Sequence, residues 1–298
     1  MTTIECDIYE SRVSTTPLLK KRVEPVVYGN AEGPLDTDEL EFFEKNGFLF
    51  FDSFLSGKEL EEAIVAQKQL KIQQTYSNDP KTIFELENKE KKVRSIFDIH
   101  RSDSVFRKIS QTPRIVQMVE QLLDSQVYIH QSRINYKPAF RGKEFYWHSD
   151  FETWHIEDGM PRMRAVSCSI SLTENTSFNG ALMVIPGSHK VFVSCVGQTP
   201  KDHFKASLKK QEYGVPDDKN LASLVKKHGI VSPLGGPGSL LLFDCNIMHG
   251  SNSNISPTSR TNLFYVYNSV ENSLEEPFGK MHPRPDYIAS RTVNPISL

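Results

Sequence analysis

The hydrophobic pattern changes its period near residue 124, and this change constrains the fold more than any other feature of the sequence. Before it, segments such as TDELEFFEKNG, SGKELEEAIVAQKQL and PRIVQMVEQLLD place apolar residues at helical spacing. After it come short segments rich in β-branched and aromatic residues: 127–137, 163–172, 180–187, 238–244 and 261–270. Helices followed by strands predict an α+β, mainly β domain built on an antiparallel sandwich or barrel.

The chain reads as a single domain over residues 1–298, since no stretch resembles a linker between two domains. The first 35 residues are polar and interrupted by Pro and Gly, which predicts an extended segment on the surface. Residues 190–229 are rich in Lys and weakly helical. They are much longer than the usual loop of ~4–6 residues, so we expect an insertion or a lid. Ser56 and Glu59 predict a capping box at one helix.

Composition excludes several classes of protein. The formal net charge is −2, which gives no electrostatic reason to expect nucleic acid or an anionic membrane as a partner. No apolar run approaches the ~20 residues that cross a bilayer. The first residues contain no apolar core typical of a secretory signal. The four cysteines, Cys6, Cys168, Cys195 and Cys245, form no C-x-x-C pair, so we expect free thiols in a reducing cytoplasm.

The stretch FYWHSDFETWH, residues 145–155, is the first candidate site. In a strand, residues i and i+2 point to the same face, so His148 and Asp150 are predicted to reach one point. A second segment ends a buried strand, places His249 in a polar loop and sets Arg260 at the start of the next strand. Two histidines and one carboxylate form the facial triad of non-haem Fe(II) oxygenases.

Arg260 belongs to the same chemistry. A 2-oxo acid would occupy two of the open iron positions and O₂ the third. The carboxylate at the far end of the oxo acid would then need a fixed cation. The guanidinium of Arg260 is a two-pronged donor that suits this purpose. The sequence therefore predicts an iron site and an anion clamp that act together.

Two strands have faces that suggest a ligand cavity. The alternate residues of 127–137 are polar, which is typical of a solvent face or of a cavity wall: Gln131, Arg133, Asn135 and Lys137. In 163–172 one face is apolar, with Val166, Cys168, Ile170 and Leu172, and the other is small, with Ala165, Ser167, Ser169 and Ser171. Small side chains opposite polar ones leave room for a ligand, so we interpret the polar face as cavity lining.

WHSDFETWH, with QSRINYK before it and PRMRAVSCSISLTEN after it, resembles the 2-oxoglutarate/Fe(II) dioxygenases of the phytanoyl-CoA-hydroxylase type, and within them the ectoine hydroxylases. The resemblance covers about residues 36–270. It implies a double-stranded β-helix (jelly roll, cupin-like) core with flanking N-terminal helices. It also implies Fe(II), with 2-oxoglutarate and O₂ as co-substrates, and hydroxylation of ectoine, a compatible solute of the osmotic stress response. A homodimer is the assembly expected.

The resemblance also assigns residues. The iron ligands, which are the catalytic centre, are His148, Asp150 and His249. The residues expected to bind 2-oxoglutarate are Lys137, Asn135, Phe145, Ser167, Ser251 and Arg260. The residues expected to bind the substrate are Gln131, Thr153, Trp154, Ala165, Phe243 and Phe264.

Other functions and residue roles stay open at this level. Two histidines and an aspartate also hold Zn²⁺ in hydrolases, although no H-E-x-x-H accompanies them. A sibling hydroxylase of another small zwitterion and a non-catalytic binding module are further alternatives. The roles of Glu152, His155 and Arg133 are undetermined, with His155 expected beside the metal site or on the surface rather than as a ligand.

Overall fold

The computed structural model describes residues 7–87, 90–197, 199–200 and 214–298. The helices are α1 Thr37–Asn46, α2 Gly57–Gln74, α3 Ile99–Ser102, α4 Ser104–Ser110, α5 Pro113–Leu123, α6 Asp150–Thr153 and α7 Asp218–His228, with a π-helical turn at Trp154–Asp158. The strands are β1 Leu19–Lys21, β2 Phe48–Phe51, β3 Thr82–Glu87, β4 Glu90–Phe97, β5 Val127–Lys137, β6 Phe145–His148, β7 Ala165–Ser171, β8 Leu182–Val184, β9 Val191–Val193, β10 Leu240–Asp244, β11 His249–Ser251 and β12 Arg260–Ser269.

Two antiparallel sheets enclose a cavity. The larger has the strand order β2-β10-β7-β12-β5-β4-β3 and the smaller has the order β6-β11-β8. Residues from both sheets, among them Asn135, Phe264, His148 and Leu182, line the same cavity. This is the sandwich arrangement predicted from the strand pattern, and the five predicted strands are all present with ends shifted by at most a few residues.

The larger sheet has one face toward the helices and the other toward the cavity. The apolar side chains of β7, Val166, Cys168 and Ile170, pack in one buried cluster with Ile115 and Val119 of α5. The alternate residues of β7 point the other way, and Ser167 reaches Asp150 of the cavity. The two-residue period of a strand thus divides core packing from cavity, as the pattern predicted.

Several strands lie where the sequence suggested only helices. β2, β3 and β4 all precede residue 124, and β4 pairs with β5 through Ser95, Ile96 and Phe97. The predicted helical character up to residue 124 is therefore wrong for these segments. β3 and β4 are rich in Lys and Glu, which are poor strand formers, and pairing with neighbouring strands overrides that preference.

The capping box also lies elsewhere. Ser56 precedes α2 but its side chain makes no capping hydrogen bond, so the predicted box with Glu59 is wrong. A reciprocal capping box lies at the N-terminus of α1 instead. There the Asp36 side chain accepts from the backbone N–H of Glu39, and the Glu39 side chain accepts from the backbone N–H of Asp36. Gly47 ends α1 with φ of 80°, a left-handed conformation that favours glycine.

The N-terminal segment is more deeply embedded than predicted. Tyr9, Arg12 and Arg22 are all buried, and β1 pairs with β9, so the segment is not merely draped on the surface. The predicted insertion 190–229 contains β9 and α7 within the described residues. Residues 198 and 201–213 lie outside them, so the lid prediction remains a prediction there.

Among the helices in the described part of the chain, none combines the length and the apolar character that crossing a membrane requires.

Candidate active site

Three ligand groups converge at one end of the cavity. His148 ends β6 and is the register partner of His249 in β11, with the ring centroids 4.2 Å apart. Asp150 lies just after β6, at the first position of α6. Its carboxylate oxygens lie 3.7 Å from His148 Nε2 and 3.9 Å from His249 Nε2. One potential ligand atom from each residue lies within 4.8 Å of the others, a spacing that suits a shared metal ion.

The route to this convergence differs from the prediction. His148 and Asp150 were expected on one face of a continuous strand, but the strand ends at His148. The chain then turns into a short helix, and Phe151 donates its backbone N–H to the carbonyl of Cys245, 2.8 Å away. The turn, not strand parity, brings the carboxylate to the histidines.

Backbone carbonyls orient both imidazoles. His148 Nδ1 lies 2.8 Å from the carbonyl of Tyr146, and His249 Nδ1 lies 3.1 Å from that of Ile247. A carbonyl oxygen only accepts, so each Nδ1 carries the proton and each Nε2 offers a lone pair to the centre of the site. Burial, and then the neighbouring His249, lower the pKa of His148 to about 3, which keeps its ring neutral and able to bind metal.

The Asp150 side chain is held as a carboxylate. Burial alone would raise its pKa, but His249, His148 and the charge of Arg133 lower it overall. Ser167 Oγ also donates to Asp150 Oδ2 at 3.3 Å. The structure thus places Ser167 against the acidic ligand, whereas the resemblance implied a contact with the co-substrate.

Arg260 also lines the cavity and brings a positive charge to its wall. It is 5% exposed, and its Nε and Nη1 have no hydrogen-bond partner among the described residues. Burial, and then the charge on Arg94, lower the pKa of Arg260 to about 9. An unpaired buried guanidinium is costly, so the site is built to receive an anion.

Lys137 lies beside Arg260 as its register partner in β5. Its ammonium donates to Ser251 Oγ at 2.8 Å and to the backbone carbonyl of Asn252 at 2.5 Å. Burial, and then the charge of Arg260, lower the pKa of Lys137 to about 6. Asn135 and Phe145 also line the cavity. Lys137 does not line it, but it bonds to Ser251, which does.

Aromatic and polar groups line another part of the cavity. Gln131, Thr153, Trp154 and Phe264 all contribute to its wall. Gln131 is fixed by donating to the carbonyl of Ile288 at 2.7 Å and by accepting from Arg133.

Two predicted substrate residues lie behind the wall. The ring of Phe243 packs against the ring of His249 at 5.1 Å between centroids. Ala165 packs in one buried cluster with Trp154. Neither is among the residues that line the cavity.

The cavity contains residues to which the sequence assigned no role. They are Arg94, Ser95, Phe97, Arg133, Leu182, Gly250 and Arg284. The alternation of β5 already placed Arg133 in the cavity lining, where the structure also has it, and left only its role open. Arg94 lies in β4, a strand for which the sequence showed no strand signal. Arg284 lies in the C-terminal segment, beyond every predicted element, and gave no signal at all.

Residues left open by the sequence have clear contacts. Glu152 is fully buried and pairs with Arg12, with 2.7 Å between Nη2 and Oε2. His155 is also buried, with Nδ1 2.8 Å from the carbonyl of Met160 and Nε2 3.0 Å from Asp7 Oδ1. His155 is therefore not on the surface. Trp147 is half-buried and packs against the cluster that contains Ile185.

Known proteins resemble this chain along nearly its full length. A family model for phytanoyl-CoA dioxygenase (PhyH) matches residues 43–262. The ectoine dioxygenase of Sphingopyxis alaskensis is 48% identical, with 96% of this chain and 93% of the relative covered. That of Bordetella bronchiseptica is 47% identical, with 96% and 92% covered.

Solved structures agree. EctD from S. alaskensis, crystallised with 2-oxoglutarate and 5-hydroxyectoine, superposes with a TM-score of 0.87 at 42% identity, covering 97% of this chain and 96% of that one. The same protein with bound Fe superposes with a TM-score of 0.85 at 42% identity, covering 96% and 95%. These matches confirm the predicted jelly-roll fold with its helices. With the family model and the near full-length identity, they show that the chain belongs to the phytanoyl-CoA dioxygenase family, among its ectoine dioxygenases.

Proposed function

We propose that this chain is an Fe(II)- and 2-oxoglutarate-dependent dioxygenase that hydroxylates ectoine to 5-hydroxyectoine, with release of succinate and CO₂. One observation carries the proposal: a single buried cavity contains both a converging His–Asp–His set and an unpaired guanidinium, Arg260. The crystal structure of EctD with 2-oxoglutarate and 5-hydroxyectoine supports the choice of co-substrate and substrate.

His148, Asp150 and His249 would hold the iron. Two neutral imidazoles and one carboxylate suit Fe(II) and leave coordination positions open. When bound, the iron would supply the positions at which 2-oxoglutarate and O₂ meet, and O₂ would be the oxidant for both the decarboxylation of 2-oxoglutarate and the hydroxylation. Ser167 and the two backbone carbonyls hold the ligands in place, and Phe243 supports His249 from behind.

Arg260 would bind the far carboxylate of 2-oxoglutarate with its guanidinium, whose Nε and Nη1 have no hydrogen-bond partner among the described residues. Lys137 contributes a nearby charge and orients Ser251, which lines the cavity. Asn135 and Phe145 complete this part of the wall. Together these groups would present the oxo acid to the metal ligands in one orientation, which is the main contribution of such a clamp to the rate.

A second cation, Arg133, suits the carboxylate of ectoine. Arg133 precedes Lys137 by four residues in β5, which separates their backbones by ~13 Å and so divides two anionic ligands. Arg284 also lines the cavity. Trp154 and Phe264 offer ring faces for the delocalised amidinium of ectoine, and Gln131 and Thr153 offer polar contacts.

The proposal is tested by incubating the iron-loaded protein with 2-oxoglutarate, O₂ and a panel of small zwitterions that includes ectoine. We expect ectoine to stimulate CO₂ release and to yield one hydroxylated product per CO₂. A stronger response to another zwitterion would identify a sibling hydroxylase. Activity with zinc and no oxygen uptake would indicate a hydrolase, and ligand binding without turnover would indicate a binding module.

Trp154→Ala is expected to lose hydroxylation of ectoine while keeping iron and 2-oxoglutarate binding. The indole stabilises the cation by ~0.5–2 kcal/mol, and a slack pocket lets the oxidant be wasted. Gln131→Ala is expected to behave similarly but more mildly. The measurement is hydroxylated product against CO₂ released, with each binding step checked separately. A near-normal product yield in Trp154→Ala would show that Trp154 packs in the core and does not contact the substrate.

The affinity for 2-oxoglutarate is expected to fall as the pH rises above about 6. The pKa of Lys137 is about 6 in the ligand-free protein, and a bound dianion raises it, so binding takes up a proton. The affinity for 2-oxoglutarate is highest below the pKa of Lys137 in the free protein. It falls by up to ~10-fold per pH unit as the pH rises from that value toward the higher pKa of Lys137 in the complex. Calorimetric titration under anaerobic conditions measures this slope. Lys137→Met should bind less tightly and lose the slope, and an unchanged slope would contradict the assignment.

We further propose a single domain over residues 1–298, with 190–229 as an insertion, acting in the cytoplasm in the osmotic stress response. The three cysteines that the structure describes, Cys168, Cys195 and Cys245, are free and buried, which supports a reducing compartment. A homodimer is proposed from the family resemblance, and the molar mass in solution tests it.

A further inference from the structure

A buried charge network connects both ends of the described chain to the segment that follows the second metal ligand. Arg12 extends from the N-terminal segment, and its Nη2 and Nε lie 2.7 and 2.9 Å from the two carboxylate oxygens of Glu152. Its Nη1 lies 2.6 Å from Glu157 Oε1. The fork of one guanidinium thus bridges two carboxylates of the segment 150–158.

The network continues to the cavity wall. The other oxygen of Glu157 lies 3.9 Å from Arg284 Nε, and Arg284 makes two hydrogen bonds to Asp158, at 2.7 and 2.5 Å. None of these five side chains is more than 6% exposed. Arg284 lines the substrate cavity, so Arg12 is linked to that wall through Glu157.

The segment that these charges hold is poorly stabilised by itself. α6 has four residues and the following π-helical turn has five, so neither reaches the length at which a helix is stable in water. The segment nevertheless carries Asp150, Thr153 and Trp154, which must be placed accurately. Core packing of Phe151 and Trp154 holds the segment on one side, and its contacts with the N-terminal segment help to fix its position on the other.

The N-terminal segment makes further contacts at the same place. Ser11 Oγ donates to Glu152 Oε1 at 2.6 Å, and Asp7 accepts from His155. The backbone N–H of Arg12 donates to the carbonyl of Cys195 at 2.8 Å, and its Nη1 also reaches Thr199. Arg12 is thus held on one side by residues of the 190–229 insertion and on the other by the segment 150–158.

We propose that Arg12 is a positioning residue for the reaction. Through Glu152 and Glu157 it sets the place of Trp154 and Thr153, and through Arg284 the place of the opposite wall. Desolvation offsets most of what such a buried network adds to stability, so its main effect is on geometry. The inference rests on the proposed function for the identity of the substrate. It assigns Arg12 no contact with the substrate itself.

The test compares two arginines of the same segment. Arg12→Lys keeps the charge but loses the fork that bridges Glu152 and Glu157. Arg22→Lys is the matched control, because Arg22 also forms a buried ion pair, with 2.7 Å to Asp244, but does not bond to residues 150–158. Michaelis constants for ectoine and 2-oxoglutarate, product per 2-oxoglutarate consumed, and Tm are measured for each.

We expect Arg12→Lys to raise the KM for ectoine by ~10-fold and to lower the yield of product per 2-oxoglutarate consumed, since small displacements of a bound reactant cost ~10–100-fold. The KM for 2-oxoglutarate, set at the Arg260 end, should stay within ~2-fold. Arg22→Lys should lower Tm without changing the yield. The same changes in both variants, or a lower Tm alone in Arg12→Lys, would overturn the proposal.

The triple variant Arg12→Met/Glu152→Leu/Glu157→Gln separates position from stability, because it leaves neither of the two carboxylates charged without Arg12. Apolar residues in place of a buried ion pair often restore the stability that a single replacement loses. We expect this variant to fold and to keep the high KM for ectoine. A parental KM and yield in the triple variant would show that these ion pairs have no positioning role.

A readout without turnover separates failure of this inference from failure of the proposed function. The chain has two tryptophans, so Trp147→Phe leaves Trp154 as the only fluorophore of its kind. In that background we expect acrylamide to quench Trp154 more strongly when Arg12 is replaced. When Arg22 is replaced, we expect the same quenching as in the parent Trp147→Phe protein. Parental quenching in the Arg12 variants would overturn the inference even if ectoine is not the substrate.

Discussion

Replacement of His148, Asp150 or His249 by Ala is expected to abolish hydroxylation. Each loss removes one of three metal ligands, so iron binding should weaken by more than the ~10–100-fold that loss of a supporting contact costs. The fold should survive, because β6 and β11 pair through their backbones and carry the histidines on a preformed sheet. Metal content, 2-oxoglutarate-dependent turnover and Tm are the measurements.

The same site makes a prediction about other metals. Ni²⁺, Co²⁺ and Cu²⁺ are expected to bind more tightly than Fe²⁺ and to inhibit, following the general affinity order of divalent ions. His228→Ala is the control for the three ligand replacements, since this histidine lies at the end of α7 and is not among the residues that line the cavity. Full activity of iron-stripped, zinc-loaded protein would contradict the iron assignment.

The second large effect is expected at Arg260. Loss of a charge-assisted, two-pronged contact to a desolvated carboxylate costs ~2–5 kcal/mol, so Arg260→Ala should raise the KM for 2-oxoglutarate by ~30-fold or more. Arg260→Lys should rescue only part of this, because an ammonium cannot reproduce the planar fork. Titration with 2-oxoglutarate in the absence of O₂ measures the affinity directly.

The structure also predicts what remains in Arg260→Ala. The charge of Arg260 helps to lower the pKa of Lys137, so its removal should raise that pKa and leave a cation nearby. Residual affinity should then disappear in Arg260→Ala/Lys137→Met. Iron binding in both variants serves as the control. An unchanged affinity for 2-oxoglutarate in Arg260→Ala would mean that the clamp lies elsewhere.

The sequence alone predicted those features that depend on local patterns. β5 has the bounds 127–137 that its composition indicated, and the two faces of β7 divide as the alternation required. Alternation is readable because side chains in a strand change face at every residue. The types of residue in FYWHSDFETWH and the presence of Arg260 likewise indicate a metal with an oxo acid without any tertiary information.

The sequence by itself did not predict the charged strands. β4 begins with Glu90, Lys91 and Lys92, and its place in the larger sheet depends on pairing with β5. Arg94 enters the cavity wall only through that pairing. Strand formation of this kind is decided by neighbours distant in sequence, and local propensity contains no information about them.

The sequence thus determined the ligand types and the strands that carry most of them, because both are written in short stretches of residues. Only the tertiary structure decided which groups meet. His148 faces His249 through strand pairing, Asp150 joins them through a turn, and Arg284 reaches the cavity from a segment without pattern. Arg12 reaches Glu152 in the same way. Such contacts depend on chain topology and on the balance between desolvation and charge pairing, which no local pattern reveals.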